Sequence, residues 1–237
     1  CAASTQAAAL DRLGVTKGVV AILGDPKAEA AIGLAKGSEL VVFVQNAKAE
    51  EAQAAAEAAD AAGLLGRRVF AAKGSPDRIG LADNLADAVV AADAGVPRAE
   101  VLRVLRPGGK ALLGDAELTK PMPDGTDEWT HHYCGPDNNP QSRDRLARSP
   151  YLTQFIVEPR YAPCPQNCVA AGGRVFMAFG HIAWHEREEP WLNTLIALNG
   201  FNGTLLWRRP LKSGLMVDRS TMIAYAPPPL GRGVGGG

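Results

Sequence analysis

Residues 21–33 read AILGDPKAEAAIG: an apolar run, a single glycine, then Asp-Pro ahead of an alanine-rich stretch. A strand that passes into a helix through glycine is where many α/β domains hold a nucleotide, because the bare backbone and the helix amides can approach phosphate or carboxylate closely. Gly24 is the glycine of this turn. Asp25 can accept from the helix-start amides, and Pro26 removes one donor from the loop. Other groups with chemical potential are scattered. HHYC (131–134) gathers two imidazoles and a thiol. Adjacent His131 and His132 point in opposite directions on an extended segment, which argues against joint metal ligation. His181 and His185 in GHIAWHE have the i, i+4 spacing of a helical zinc pair, but their surroundings read as strand and the Glu is not placed as in HExxH. Cys164 and Cys168 form C-x3-C without the second pair of a zinc ribbon, leaving a disulfide or two free thiols open. No metal site is expected from these residues. No Ser-His-Asp arrangement can be argued from spacing, and no Cys-x-x-Cys-His points to covalent haem.

The elements that would position these groups change character near residue 120. Residues 1–115 alternate short apolar runs with alanine-rich segments and contain no Trp. VVAIL (19–23), LVVFV (40–44), RVFAA (68–72), ADAVVAAD (86–93) and KALLG (110–114) read as strands. Between them, Asp25 and Pro26 open a helix that Gly37 stops, Asn46 caps a long helix that Gly63 ends, and PRAEVLRVL forms two further turns. RPGG (106–109) reads as a tight turn. Continuous rather than alternating apolar runs mean strands covered on both faces, hence a parallel sheet between helix layers. Residues 127–237 hold all four Trp, and their short runs are split by Gly and Asn. LIALNGFNGTLLW signals a hairpin, and TMIAYAPP reads as another strand. DRLARS (144–149) suits a short helix, and HEREEP (185–190) a solvated loop. The expected organisation is an α/β Rossmann-like domain over 1–118, a linker over 119–128, and a mostly-β segment over 129–237.

Bulk properties bound the partners. Lys plus Arg and Asp plus Glu are 25 each, so the formal net charge is zero and nothing drives phosphate-backbone binding. Nucleic acid is therefore not an expected partner, and no apolar stretch is long enough to span a bilayer as a helix. The chain begins CAAS, which fits either the acylated end of a processed lipoprotein or an arbitrary boundary in a longer chain.

The order of elements over 14–114, and above all EVLRVLRPGGKALL (100–113), resembles the class I S-adenosylmethionine-dependent methyltransferase domain. DAAGLLGRRVFAAKGSPDRI (60–79) resembles that family's approach to its third strand. The resemblance implies a cofactor cradle at Gly24, Asp25, Gln45, Ser75 and Asp93. Its register also implies departures. Of a Gly-x-Gly-x-Gly loop, Gly24 survives, with Pro26 and Ala28 in place of the other glycines. Gln45 stands where an acid grips the ribose, which would weaken the hold by roughly 1–2 kcal/mol. Ser75 stands where an acid often meets adenine, and Asp93 is the acid left near the rim. The cradle is expected to be a vestige that holds S-adenosylmethionine poorly.

AGGRVFMAFG (171–180) and NTLIALNGFNGTLLWRRPL (193–211) resemble a pyrroloquinoline-quinone-like, quinoprotein-type β-propeller repeat, through Ala197, Leu198, Asn199, Gly203 and Trp207. EWTHHYCGPDNNPQS (128–142) is similar to the lead-in to the first blade, through Trp129, Gly135, Pro136 and Asn139. About 110 residues hold one or two blades where closure needs at least about four, so the expectation is either a chain that is part of a longer protein or a terminal sequence, GRGVGGG, that is a misread end. These resemblances imply a modular binding or scaffolding protein whose propeller takes a protein or small-molecule partner. An active methyltransferase with propeller-recruited substrate, and a quinone-dependent dehydrogenase, stand as alternatives; pyrroloquinoline quinone itself has no ligand set in these residues. The propeller implies the cell envelope or periplasm, and a working methyl-donor site implies the cytoplasm.

Overall fold

The computed structural model describes residues 12–75, 77–91, 95–149, 157–160, 163, 165–180 and 183–211. Its contacts divide the chain into one unit spanning Cys1–Pro123 and a second spanning Asp124–Gly237, with the division falling in the Pro-rich stretch KPMPDG.

The first unit is a six-stranded sheet between helices. Strands β1 (Lys17–Leu23), β2 (Glu39–Asn46), β3 (Val69–Lys73), β4 (Ala86–Ala91) and β5 (Leu105–Leu113) run parallel, and β6 (Ala116–Thr119) returns antiparallel on β5. The order is β3-β2-β1-β4-β5-β6, so the chain reverses direction across the sheet between β1 and β4. Helices α1 (Glu29–Gly37), α2 (Ala49–Ala61) and α3 (Arg98–Val104) complete the crossovers. Alternate residues of the same strand enter different cores. Val20, Ile22, Val42 and Val44 join Leu34, Ala55 and Ala59 on one face. Ala21 and Val89 join Ile79, Val101, Val104 and Leu105 on the other. Burial on both faces is what made these strands read as unbroken apolar runs.

Three local expectations in this unit are corrected. Helix α1 starts at Glu29 rather than at Pro26, because Ala28 takes φ 52° and breaks helical continuity after Asp25. Asn46 does not cap α2; it ends β2 with its side chain buried, and Lys48 precedes the helix without a side-chain cap. RPGG is a bulge inside β5: Ala86 pairs with Leu105 and Ala88 with Lys110, so the intervening residues loop out of register. Asp87 explains the bulge, since its buried carboxylate accepts from Arg106 on one side and from the Val19 amide at 2.9 Å on the other. A side chain at Gly109 would meet the Arg106 carbonyl at 2.8 Å, so the backbone can close there with glycine alone. Strand β6 was not expected, and it takes up Leu118 and Thr119 at the edge of the sheet.

The second unit contains a four-stranded antiparallel sheet, ordered β10-β9-β8-β7, from β7 (Pro165–Ala171), β8 (Arg174–Phe179), β9 (Thr194–Asn199) and β10 (Leu205–Pro210). The β9–β10 pair is the hairpin that LIALNGFNGTLLW signalled. Phe179, Ile196 and Leu198 form its small core, with Val175, Met177, Trp191 and Leu205 packed against them. DRLARS is not helical, because Asp144 Oδ1 folds the backbone into a turn by accepting the Leu146 and Ala147 amides at 2.7 and 2.8 Å. HEREEP forms part of a 3-10 helix over Glu186–Trp191. TMIAYAPP lies outside the described residues. Among the described residues, no helix is long and apolar enough to cross a membrane.

Candidate ligand crevice

The carboxyl ends of β1 and β4 part at the switch point, as the opposed crossovers require. A crevice of about 170 Å³ lies there, lined by Leu23, Gly24, Gln45, Ala47, Glu51, Gly74, Ala91 and Val96. Gly24 has φ 81°, and its amide donates to the Gln45 carbonyl at 3.0 Å, which ties β1 to β2 at the lip. Apart from its chain neighbours, no atom of the described residues lies within 4 Å of where its side chain would start, so its backbone faces open space.

Asp25 occupies the helix start itself. Its Oδ1 accepts from the Glu29 amide and its Oδ2 from the Ala31 amide, both at 3.0 Å, and the residue is 9% exposed. The first amides of a helix lack partners within it and attract negative charge. In this chain an internal carboxylate satisfies two of them, in the position where a ligand's anionic group would otherwise sit.

Gln45 is 4% exposed, and its amide is spent on the chain. Nε2 donates to the carbonyls of Ser75 and Arg78, each at 2.9 Å, and Oε1 accepts from the Gly80 amide at 2.8 Å. Both donors and one acceptor direction therefore hold the loop between β3 and β4. The fit is close: a side chain at Gly74 would come 2.4 Å from Gln45 Cδ. The loop has a second anchor that sequence reasoning missed. Glu100 accepts from the Ile79 amide at 2.8 Å, and Arg103 donates to the carbonyls of Ile79 (2.9 Å) and Leu81 (3.0 Å) while pairing with Glu100 and Asp83. The Arg103 hydrogen bond holds the Glu100 carboxyl below the usual carboxylate range despite its burial, and Glu100 in turn raises Arg103. Ile79, 1% exposed, plugs the core between these anchors.

Of the five residues expected to form a cradle, four lie among the described residues. Gly24 and Gln45 meet at the lip, and Asp25 caps α1. Ser75 contributes its carbonyl to Gln45, while its exposed hydroxyl accepts from the Asp77 amide at 3.2 Å. Asp93 lies outside the described residues. Asn46 is 1% exposed; its Nδ2 reaches the carbonyls of Asp25 and Glu51 at 3.3 and 3.4 Å, and its Oδ1 has no partner among the described residues. Both side-chain donors of Gln45 and both carboxylate oxygens of Asp25 are thus engaged by backbone groups of the chain.

In the second unit, His131 Nδ1 lies 2.8 Å from Thr130 Oγ1, and the exposed His132 packs edge-on against Tyr133 with ring centres 4.4 Å apart. Cys134, with φ 65°, buries its thiol within 3.9 Å of Asp127 Oδ2, and burial pushes that thiol up. Cys134 and Cys168 are free thiols. Cys164 and His181 lie outside the described residues. Among the described residues, no three His, Cys, Asp or Glu side chains converge as a metal site.

No protein-family model and no curated protein matches the chain. Similarity is found among solved structures. A putative S-adenosyl-L-methionine-dependent methyltransferase from Methanococcus maripaludis is 24% identical, with a TM-score of 0.43 over 47% of this chain and 53% of that one. A putative sarcosine dimethylglycine methyltransferase from Galdieria sulphuraria is 23% identical, with a TM-score of 0.41 over 46% of this chain and 44% of that one. A SAM-dependent methyltransferase from Aquifex aeolicus is 22% identical, with a TM-score of 0.40 over 45% of this chain and 61% of that one. The chain spans about half the length of these solved structures.

Proposed function

We propose that the first unit is a degenerate methyltransferase-like domain that keeps its sheet and has turned its cofactor cradle into internal structure. In this reading it serves as a non-catalytic binding or scaffolding module, fused to the start of a quinoprotein-like propeller. The observation that carries the reading is the three-bond clamp of Gln45 on the Ser75–Gly80 loop. A side chain that grips a ribose must present free polar atoms to the crevice, and this one presents them to backbone. Asp25 adds to it, since a carboxylate already bonded to the α1 amides leaves the helix start without pull on an anionic ligand. For the second unit, the support is a four-stranded antiparallel sheet in sequence order, the make-up of a single propeller blade.

Isothermal titration of S-adenosylmethionine and of S-adenosylhomocysteine into the full chain tests the reading. The expected result is no saturable heat with either compound. Micromolar binding of either would overturn it and would favour the working methyltransferase, for which the open backbone at Gly24 is the point of support.

A further inference from the structure

We propose that two copies of this chain pair edge to edge through β3, antiparallel about a two-fold axis, so that their two six-stranded sheets join. The parity of hydrogen bonding fixes what that edge offers. The Val42 amide donates to the Arg68 carbonyl at 2.8 Å and the Gly74 amide to the Asn46 carbonyl at 3.0 Å, so the even-numbered residues of β3 bond β2 and the odd-numbered ones point outward. Val69 is already satisfied within the chain: its amide donates to the Leu64 carbonyl at 3.0 Å, and its carbonyl accepts from the Gly66 amide at 2.9 Å. Ala71 and Lys73 remain, and among the described residues nothing bonds their outward amides and carbonyls. That set is complementary to itself. With Ala71 opposite Lys73 of the partner, and Lys73 opposite its Ala71, each opposed pair exchanges both N–H···O bonds, and Ala72 meets Ala72 on the axis. Every open group is used, and the ladder stops where Leu64 and Gly66 close it.

The same register sets Phe70 opposite Gly74 of the partner and beside its Ala72, residues small enough to admit a ring. Val42, Val44 and Val69, on the face that α1 and α2 cover, are fully buried. Phe70 is 42% exposed on the other face, where the described residues of the β3–β4 connection form no helix. Charge selects a second copy as the occupant. Arg67 precedes β3 and Asp77 follows it, both exposed and neither in an ion pair among the described residues. The five residues of β3, at about 3.3 Å each, keep the two apart within one chain. Antiparallel pairing brings Arg67 of each copy to the end where Asp77 of the other lies. The other charges of this edge are already placed. Arg68 donates to the Ser38 and Leu40 carbonyls, and Arg78 lies 3.9 Å from Glu100. The two Lys73 ammoniums become diagonal neighbours that repel mildly. The shared ladder is short, so the dimer is weak and forms at high concentration.

Sedimentation velocity of the full chain, carried up to millimolar concentration, tests this directly. The parent should pass from monomer to dimer. Lys73→Pro removes an outward amide and leaves the bonds to β2 intact, as proline on an edge strand can. It should weaken pairing about tenfold, because two bonds are lost per dimer. Lys73→Gln keeps the amide, relieves the repulsion and should pair at least as tightly as the parent. Arg67→Asp and Asp77→Arg should each weaken pairing, and the chain carrying both changes should pair like the parent, because both cross-contacts are again of opposite sign. All variants should keep the parent's far-UV circular-dichroism spectrum. A parent that stays monomeric throughout, a Lys73→Pro variant that pairs like the parent, or a double variant no tighter than the single ones would each overturn the proposal.

Discussion

Replacing Gln45 by Leu keeps the volume of a buried side chain and removes three hydrogen bonds: two to the carbonyls of Ser75 and Arg78, and one from the Gly80 amide. Each such bond contributes about 0.5–1.5 kcal/mol net. Ser75, Arg78 and Gly80 are themselves exposed, so water can reach the abandoned backbone groups and the loss should sit in the lower half of the sum. Burial of the added apolar surface returns part of it. The expected destabilisation is about 2 kcal/mol, which for a unit the size of Cys1–Pro123 lowers Tm by roughly 8 °C. Far-UV circular dichroism is the right probe, since α1, α2 and α3 all lie in the unit that carries Gln45, whereas every Trp lies beyond residue 123. Hydrogen exchange at the Gly80 amide should quicken in parallel. Gln45→Glu should cost more at neutral pH, because a carboxylate would face two carbonyls. That environment raises the carboxyl's folded pKa above its unfolded value, so the variant should regain stability as pH falls through the raised value. A Leu variant as stable as the parent within about 0.5 kcal/mol, with unchanged exchange at Gly80, would refute the clamp.

Gly74→Ala should destabilise by about 1–3 kcal/mol, because the new methyl must displace the Gln45 side chain. In a Gln45→Ala background the same change should cost much less, and a double-mutant cycle in urea measures the difference. Asp25→Ala should cost about 1–2 kcal/mol by uncapping α1, with Asp25→Asn recovering most of it in the same melts. Glu100 has a lowered folded pKa, so its contribution is fully present above the unfolded value of about 4.3 and fades as pH falls through the folded one. Glu100→Gln should therefore be less stable than the parent at neutral pH, and the gap should narrow in acid, as read from urea midpoints across a pH series.

The strands were legible because burial on both faces writes itself as continuous apolar runs. Asp25 was legible as a partner for helix amides, since its chemistry is local. The start of α1 was not, because the left-handed Ala28 has no marker in its side chain. Gln45 could be placed at the end of its strand, but its partners are backbone groups 30–35 residues downstream, which no local pattern reveals. Gly74 carried a trace of that contact, as a glycine required by the approach of Gln45. The β5 bulge escaped notice because its cause, Asp87, sits on a different strand. Glu100 and Arg103 could be paired by their i, i+3 spacing, yet their hold on Ile79 and Leu81 depends on the tertiary fold.

The account stands on the cradle being filled from within, and a crystal structure grown in saturating S-adenosylhomocysteine tests it most directly. The predicted map has Gln45 bonded to Ser75, Arg78 and Gly80, the Asp25 carboxylate on the α1 amides, and no nucleoside in the crevice. A nucleoside seated above Gly24, with its ribose hydroxyls on a Gln45 side chain released from the loop, would contradict it.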